Sequence, residues 1–360
     1  MSNTIEVVAP SASKNAAVTY YGWFDWLRFA LASTVMLSHE GLITWNAAGN
    51  FAVQVFFSLS GWLIGGILCR METSELPRFY FNRALRIWCP YLLALGFLLS
   101  MGLYHDRVTP KWLEIAFYMA TSVYNLFGTR ELLQHGREMP MQGTGNHFWS
   151  VNAEEQFYLL APLLLVVLPR KYGRSVFMWI GLAVLALVTK TYASIVFGVL
   201  AAVFANKYGA FNESRWCRVT AALTMTISAI GLASEWDYEL IVPFCAISIV
   251  LFLAIKRAPL PLGKFAGGMS YPLYLNAWIA GVSLNVVFKH FKISNQLLEA
   301  GIVSISALLL AAILYRFFDR RILDNRRRLY TPARAKVAMA CAYGAVIIGC
   351  CVGAILYVKN

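Results

Sequence analysis

Residues 297–336 read L-L-E-A-G-I-V-S-I-S-A-L-L-L-A-A-I-L-Y-R-F-F-D-R-R-I-L-D-N-R-R-R-L-Y-T-P-A-R-A-K. The part from 297 to 315 carries a single charge, Glu299, and is long enough as a helix to cross a hydrocarbon core of about 30 Å. The part from Arg316 to Lys336 is its opposite, with Arg320, Arg321, Arg326, Arg327 and Arg328 in one short stretch. An apolar run stopped by a basic cluster is the pattern of a membrane helix ending on the cytoplasmic side. Since only helices and closed barrels satisfy their backbone inside a bilayer, this stretch points to an all-α polytopic transmembrane helix bundle.

The composition agrees along the whole chain. Of 360 residues, 59% are hydrophobic and 14% charged, against roughly 25% charged in a soluble domain. So few charges cannot cover a globule of this size, and the composition also excludes a disordered chain, a collagen and a secreted disulfide scaffold. Lys and Arg number 31 against 18 Asp and Glu, a formal charge of +13. In a bilayer that excess reads as orientation, and no nucleic-acid partner is expected. The seven Cys include no C-x-x-C pair and read as packing residues. No metal site is expected. G-x-S-x-G, H-E-x-x-H and P-loop patterns are missing, which disfavours a soluble-type serine hydrolase, a zinc protease and a nucleotide hydrolase.

Apolar segments follow one another at about 24–44, 50–69, 85–103, 112–128, 152–169, 175–189, 191–206, 219–234, 239–255, 271–288, 297–315 and 337–358. The pair flanking Lys190 is short and reads either as two helices or as one bent helix. Four basic loops should be cytoplasmic: Arg70–Arg83, Arg170–Arg174, Lys256–Lys264 and Arg316–Lys336. They fall on one side only if 112–128 does not cross. A re-entrant or interfacial helix is therefore expected there, directing Glu114 and Asn125 to protein or water. The basic loop Lys289–Lys292 is the misfit. The resulting organisation is a flexible cytoplasmic tail at 1–22, a membrane domain of ten crossings at 23–320, a basic cytoplasmic linker at 321–336 and an extra carboxyl-terminal helix at 337–360.

Ionisable residues within such segments are expensive and mark candidate sites. In F-D-W-L-R-F-A-L-A-S-T-V-M-L-S-H-E at 24–40, Asp25 and Arg28 lie one turn apart. Arg28 and His39 share a face and are roughly 16 Å apart along the helix axis. A histidine that merely bonds a neighbouring helix is the structural alternative. Arg83 and Arg86, in R-A-L-R, fall on one helical face as a fork suited to phosphate or carboxylate, or serve as ordinary anchors at the membrane surface. Glu154 and Glu155 open a helix where its dipole favours them, with Ser150 or Asn152 as the cap.

Taken in order, these stretches resemble the acyltransferase-3 family of integral membrane O-acyltransferases. F-D-W-L-R at 24–28 with His39, V-F-F-S-L-S-G-W-L-I at 55–64, R-A-L-R-I-W-C-P-Y at 83–91, H-F-W-S-V-N-A-E-E-Q-F-Y at 147–158 and S-Y-P-L-Y-L at 270–275 carry the likeness. Two positions depart from the family pattern. Ala277 stands where many members have a second histidine, and Gln54 stands where an Asp is frequent. The fused esterase-like domain of some members is not expected in this chain.

The resemblance implies transfer of an acyl group, commonly acetyl, from a cytoplasmic acyl-CoA to a hydroxyl of an extracytoplasmic glycan such as O-antigen, exopolysaccharide or lipo-oligosaccharide. It places the protein in a bacterial cytoplasmic membrane, where the basic loops put its amino terminus inside. Acyl-CoA is then a donor substrate, with no permanently bound cofactor, and the other partners are a glycan or lipid-linked glycan and membrane lipids. His39, Asp25 and Glu154 are the implied catalytic residues. Arg83, Arg86 and Arg28 are implied for the donor, and Trp149, Ser150, Glu155 and Tyr271 for the acceptor. Asp25 pairs either with Arg28 or with the Arg83–Arg86 cluster. Ser60-Gly61 is read as a close helix approach. Direct transfer is preferred to a covalent intermediate. The competing expectations are a macrolide-type acceptor and a proton-coupled transporter or flippase of glycan or lipid.

Overall fold

The computed structural model describes residues 20–359; most of the tail expected at 1–22 therefore lies outside the described residues. The chain is helical, with no strand among the described residues. Six helices, Ala48–Leu68, Thr73–His105, Arg215–Ala233, Gly263–Phe291, Gln296–Leu329 and Pro332–Leu356, are long and apolar enough to cross a membrane. Val176–Val188, Ala193–Tyr208 and Tyr238–Leu253 are shorter apolar helices. The ends follow local chemistry. Ser175, Ser214, Asp237 and Asn295 each accept a backbone N–H at the start of the helix that follows.

Two compact units are present. Of the described residues, the first comprises 20–73 with Ala161–Phe317, and the second comprises Ser74–Leu160 with 318–359. In the first unit, the Ala48–Leu68 and Ala193–Tyr208 helices meet backbone to backbone. A Cβ on Gly61 would lie 2.2 Å from the Ile195 carbonyl oxygen, and one on Gly198 would lie 2.3 Å from that of Ser58. Ser58 donates to the Ser194 carbonyl at 2.9 Å, and Ser194 donates to Gln54 Oε1 at 2.6 Å. The S-L-S-G stretch is thus a helix crossing, as read, and Gln54 serves it. Lys190 and Tyr192 both adopt positive φ of 52°, so the segments around them are two helices and not one bent helix.

In the second unit, Thr109 caps and Pro110 opens an 11-residue helix, Pro110–Ala120. Its rise of about 16 Å is half of what a crossing needs. Ser122 then turns at φ 57° into the short Tyr124–Phe127 helix. Glu114 accepts from Tyr118 at 2.9 Å and pairs with Lys111 at 3.0 Å, while Asn125 bonds Gln156. Both polar residues face protein groups. The basic stretch expected as a linker is helical over Arg320–Leu329.

Candidate active site

In the first unit the Gly22–His39 helix lies against Gly263–Phe291, and glycine sets their distance. A Cβ on Gly267 would come within 2.8 Å of Asp25 Cα. Asp25 is buried there and pairs with Arg28, Nη1 to Oδ1 at 3.6 Å. Of the two pairings left open for Asp25, this is the one observed. The Tyr20 hydroxyl donates to Asp25 Oδ2. Burial, together with that carboxylate, raises the Tyr20 phenol above its ordinary range, so it stays a proton donor. The Tyr20 carbonyl also accepts the Arg257 backbone N–H at 3.0 Å, so Tyr20, inside the stretch expected as tail, is bonded into the fold.

His39 ends the same helix. It is exposed and has no hydrogen-bond partner among the described residues. Some 21 Å of helix separates it from Asp25, so the structure brings Asp25 and Arg28 together but not His39. Tyr271 sits half-buried on the Gly263–Phe291 helix. Ala277 packs against the apolar cluster of Ala32, Met36 and Leu273. A small side chain there completes a core contact in place of an imidazole.

In the second unit the Leu76–Arg83 helix passes through a π-turn, Ala84–Trp88, into Cys89–His105. The π-turn corrects one expectation. An i→i+5 turn winds less per residue than an α-turn, so Arg83 and Arg86 are set further apart around the axis than the single α-helical face expected of them. The Arg83 guanidinium lies over the rings of Phe79 at 5.6 Å and Tyr158 at 5.5 Å. Its Nε is buried without a hydrogen-bond partner among the described residues. Arg86 instead lies within electrostatic reach of the buried Asp319 carboxyl.

Glu155 is buried and accepts from Trp88 Nε1 through Oε2, while its Oε1 is buried without a partner among the described residues. Arg83 and Glu154 both act on it electrostatically. Glu154 accepts from the Tyr158 hydroxyl. Arg83, Glu154 and Glu155 are therefore gathered in one region, with Trp88 and Tyr158 as the side chains that hold them.

The capping expectation does not hold. The helix starts at Phe148, after a 3-10 run over Pro140–His147, which places Glu154 and Glu155 beyond its first turn. Ser150 is buried and donates to the His147 carbonyl at 3.3 Å. Asn152 accepts the Tyr124 backbone N–H at 3.1 Å and donates to the Tyr91 hydroxyl at 2.9 Å. Trp149 is half-buried. Four partners escaped the reading of the sequence: Tyr20, Trp88, Tyr158 and Asp319. Trp88 and Tyr158 lie inside quoted motifs but carry no charge, so a search for intramembrane charge passes over them. Asp319 was hidden by the arginines around it.

The sequence profile described as an acyltransferase domain matches residues 21–316. A putative membrane-bound transacylase, BcsY of Komagataeibacter xylinus, is 24% identical over 91% of this chain and 88% of its own length. The peptidoglycan O-acetyltransferase OatA of Listeria monocytogenes is 27% identical over 41% of this chain. The putative peptidoglycan O-acetyltransferase YrhL of Bacillus subtilis is 28% identical, also over 41%. The matched part is 24% of the length of each of these two proteins. No solved structure matches. The domain match takes in every site residue expected from the sequence, and the apolar helices make the chain a multi-pass membrane protein: it belongs to the acyltransferase-3 family of membrane acyltransferases.

Proposed function

We propose that this protein is a membrane O-acyltransferase that moves an acyl group, acetyl in the first instance, from cytoplasmic acyl-CoA to a hydroxyl of an extracytoplasmic glycan. The observation that carries this reading is the acyltransferase-domain match over residues 21–316, which contains His39, Asp25, Arg28, Arg83, Arg86, Glu154 and Glu155. Relatives named as peptidoglycan O-acetyltransferases favour a glycan as the acceptor class. The orientation follows from the basic loops, with the Arg316–Lys336 side cytoplasmic.

A thioester is already activated, so the protein needs a base, an anchor for the anionic donor and a means of placing the acceptor. His39, exposed at the end of its helix, is the base for the acceptor hydroxyl. The hydroxyl oxygen attacks the thioester carbonyl, a C–O bond forms and the C–S bond breaks. The proton taken by the imidazole passes to the departing thiolate, giving ester and free coenzyme A. Asp25 holds Arg28 and, with Tyr20, fixes the far end of that helix. Arg83, with its buried Nε still able to donate, binds donor phosphate, and Arg86 adds positive charge. Glu154, Glu155, Trp149, Ser150 and Tyr271 are the acceptor-side groups, with Glu154 a second proton carrier. No covalent intermediate is needed.

Membranes containing the protein, given radiolabelled acetyl-CoA, should transfer label to glycan. His39→Ala at equal expression should reduce transfer by about 10²- to 10⁴-fold, the usual contribution of general acid–base catalysis. Full labelling by that variant would remove His39 from the mechanism. Movement of glycan or lipid without label would replace the enzyme by a transporter.

A further inference from the structure

We propose that Tyr343, on the Pro332–Lys359 helix and beyond the matched residues 21–316, is a positioning residue for Arg83 and Glu155. The proposal rests on the donor-binding role given to Arg83 above. The Tyr343 hydroxyl donates to the Leu159 carbonyl at 2.9 Å and lies 2.7 Å from the Tyr80 hydroxyl. A phenol has one proton to give. Because that proton goes to Leu159, Tyr343 must accept from Tyr80, and the order is Tyr80 to Tyr343 to the Leu159 carbonyl. The two rings meet edge to face at 5.6 Å, which holds the hydroxyls in register.

The ends of this relay fall beside the candidate site. Tyr80 is one turn before Arg83, and Leu159 is one turn after Glu155 and adjacent to Tyr158, over whose ring Arg83 lies. On the other side of Arg83, Trp88 donates to Glu155. The segment bearing Arg83 and the helix bearing Glu155 are thus tied at two heights, with Arg83 between the ties. One tie is direct, and the other depends on a third helix.

Glycine fixes the height of that third helix. A Cβ on Gly349 would come within 2.6 Å of Thr121 Oγ1, and one on Gly353 within 2.6 Å of the Phe127 ring. With the helix seated so closely, the Tyr343 hydroxyl has little freedom to slide away from its two partners. Loss of the hydroxyl releases one tie, and the Arg83 guanidinium, whose position decides donor binding, gains freedom.

The test uses the full chain in membranes with acetyl-CoA as the donor. Tyr343→Phe keeps the ring and removes the relay. It should raise KM for acetyl-CoA about three- to tenfold, the size of one net hydrogen bond, and leave kcat within about twofold. Tyr80→Phe should give the same shift, and the double variant no more than either alone, because both break one chain. Unfolding in detergent is followed in parallel. A Tyr343→Phe protein with a lowered midpoint but the wild-type KM has lost only a structural contact and overturns the proposal. Additive KM shifts in the double variant would also overturn it. Failure of the wild-type protein to transfer acetyl from any thioester would instead defeat the proposed function, and it shows in the parent chain before any variant is made.

Discussion

One contact in each unit shows a different way of holding helices together. In the first, the Ala48–Leu68 and Ala193–Tyr208 helices touch through backbone, with glycine removing the side chains that would part them. In the second, polar side chains join the stretch around Ser122 to the Phe148–Pro162 helix. Asn125 and Gln156 exchange hydrogen bonds at 3.0 and 2.7 Å, and Gln156 also donates to the Ser122 carbonyl at 2.8 Å. The difference follows from backbone satisfaction. Long continuous helices bond their own backbone and need only close packing within a bilayer. A segment that stops after 11 residues and turns at Ser122 leaves backbone groups for others to satisfy. Amide side chains from the Phe148–Pro162 helix supply the partners.

This contrast breaks most readily at Gly61. Gly61→Ala places a methyl group against backbone that cannot give way and should cost about 3 kcal/mol or more of stability. Gly66→Ala, on the same helix, meets nothing within 4 Å and should be neutral or stabilising by up to about 1 kcal/mol. Unfolding of the purified protein in detergent measures both, and equal effects would remove the backbone crossing as the cause.

Next in size is Asn152→Ala. It leaves the buried Tyr124 N–H without its acceptor and removes the donor to Tyr91, for about 1–3 kcal/mol. Hydrogen exchange should speed up first over residues 121–127, well before the first unit is affected. Uniform acceleration across the chain would mean that the polar network is no separate fastening.

The smallest effect belongs to an exposed loop pair. Lys190 bonds Asp237 and holds that carboxyl below its usual range. Its contribution to stability is therefore present above the unfolded carboxyl pKa of about 3.9 and is lost as pH falls through the lower folded value. The midpoint difference between wild type and Asp237→Asn should be small, shrink in high salt and begin to fall only on acidification below about pH 4. A difference that grows on acidification would contradict the pairing.

Much of this architecture was legible because the bilayer is a severe solvent. A run such as 297–315 has one stable use, and the segment at 112–128 stood out as a helix that should not cross once the basic loops were sorted. The Asp25–Arg28 pair was legible because it is local, at i and i+3. The Arg83–Arg86 relation was not. It depends on a π-turn, and A-L-R-I-W has no residue that dictates one. Asn152 was read as a cap because helix starts are uncertain by a turn, whereas its work is to bond Tyr91 and Tyr124, far away in sequence.

The sequence by itself determined the all-helical membrane architecture, the family, and the few polar residues that apolar surroundings make conspicuous. Periodicity and charge are local properties, and one chain displays them without its neighbours. Only the tertiary structure decided what those residues touch: Asp25 against Gly267, Glu155 under Trp88, and Tyr343 joining Tyr80 to the Leu159 carbonyl. Such contacts depend on how closely two helices approach and which faces meet, and those are set by packing over the whole unit.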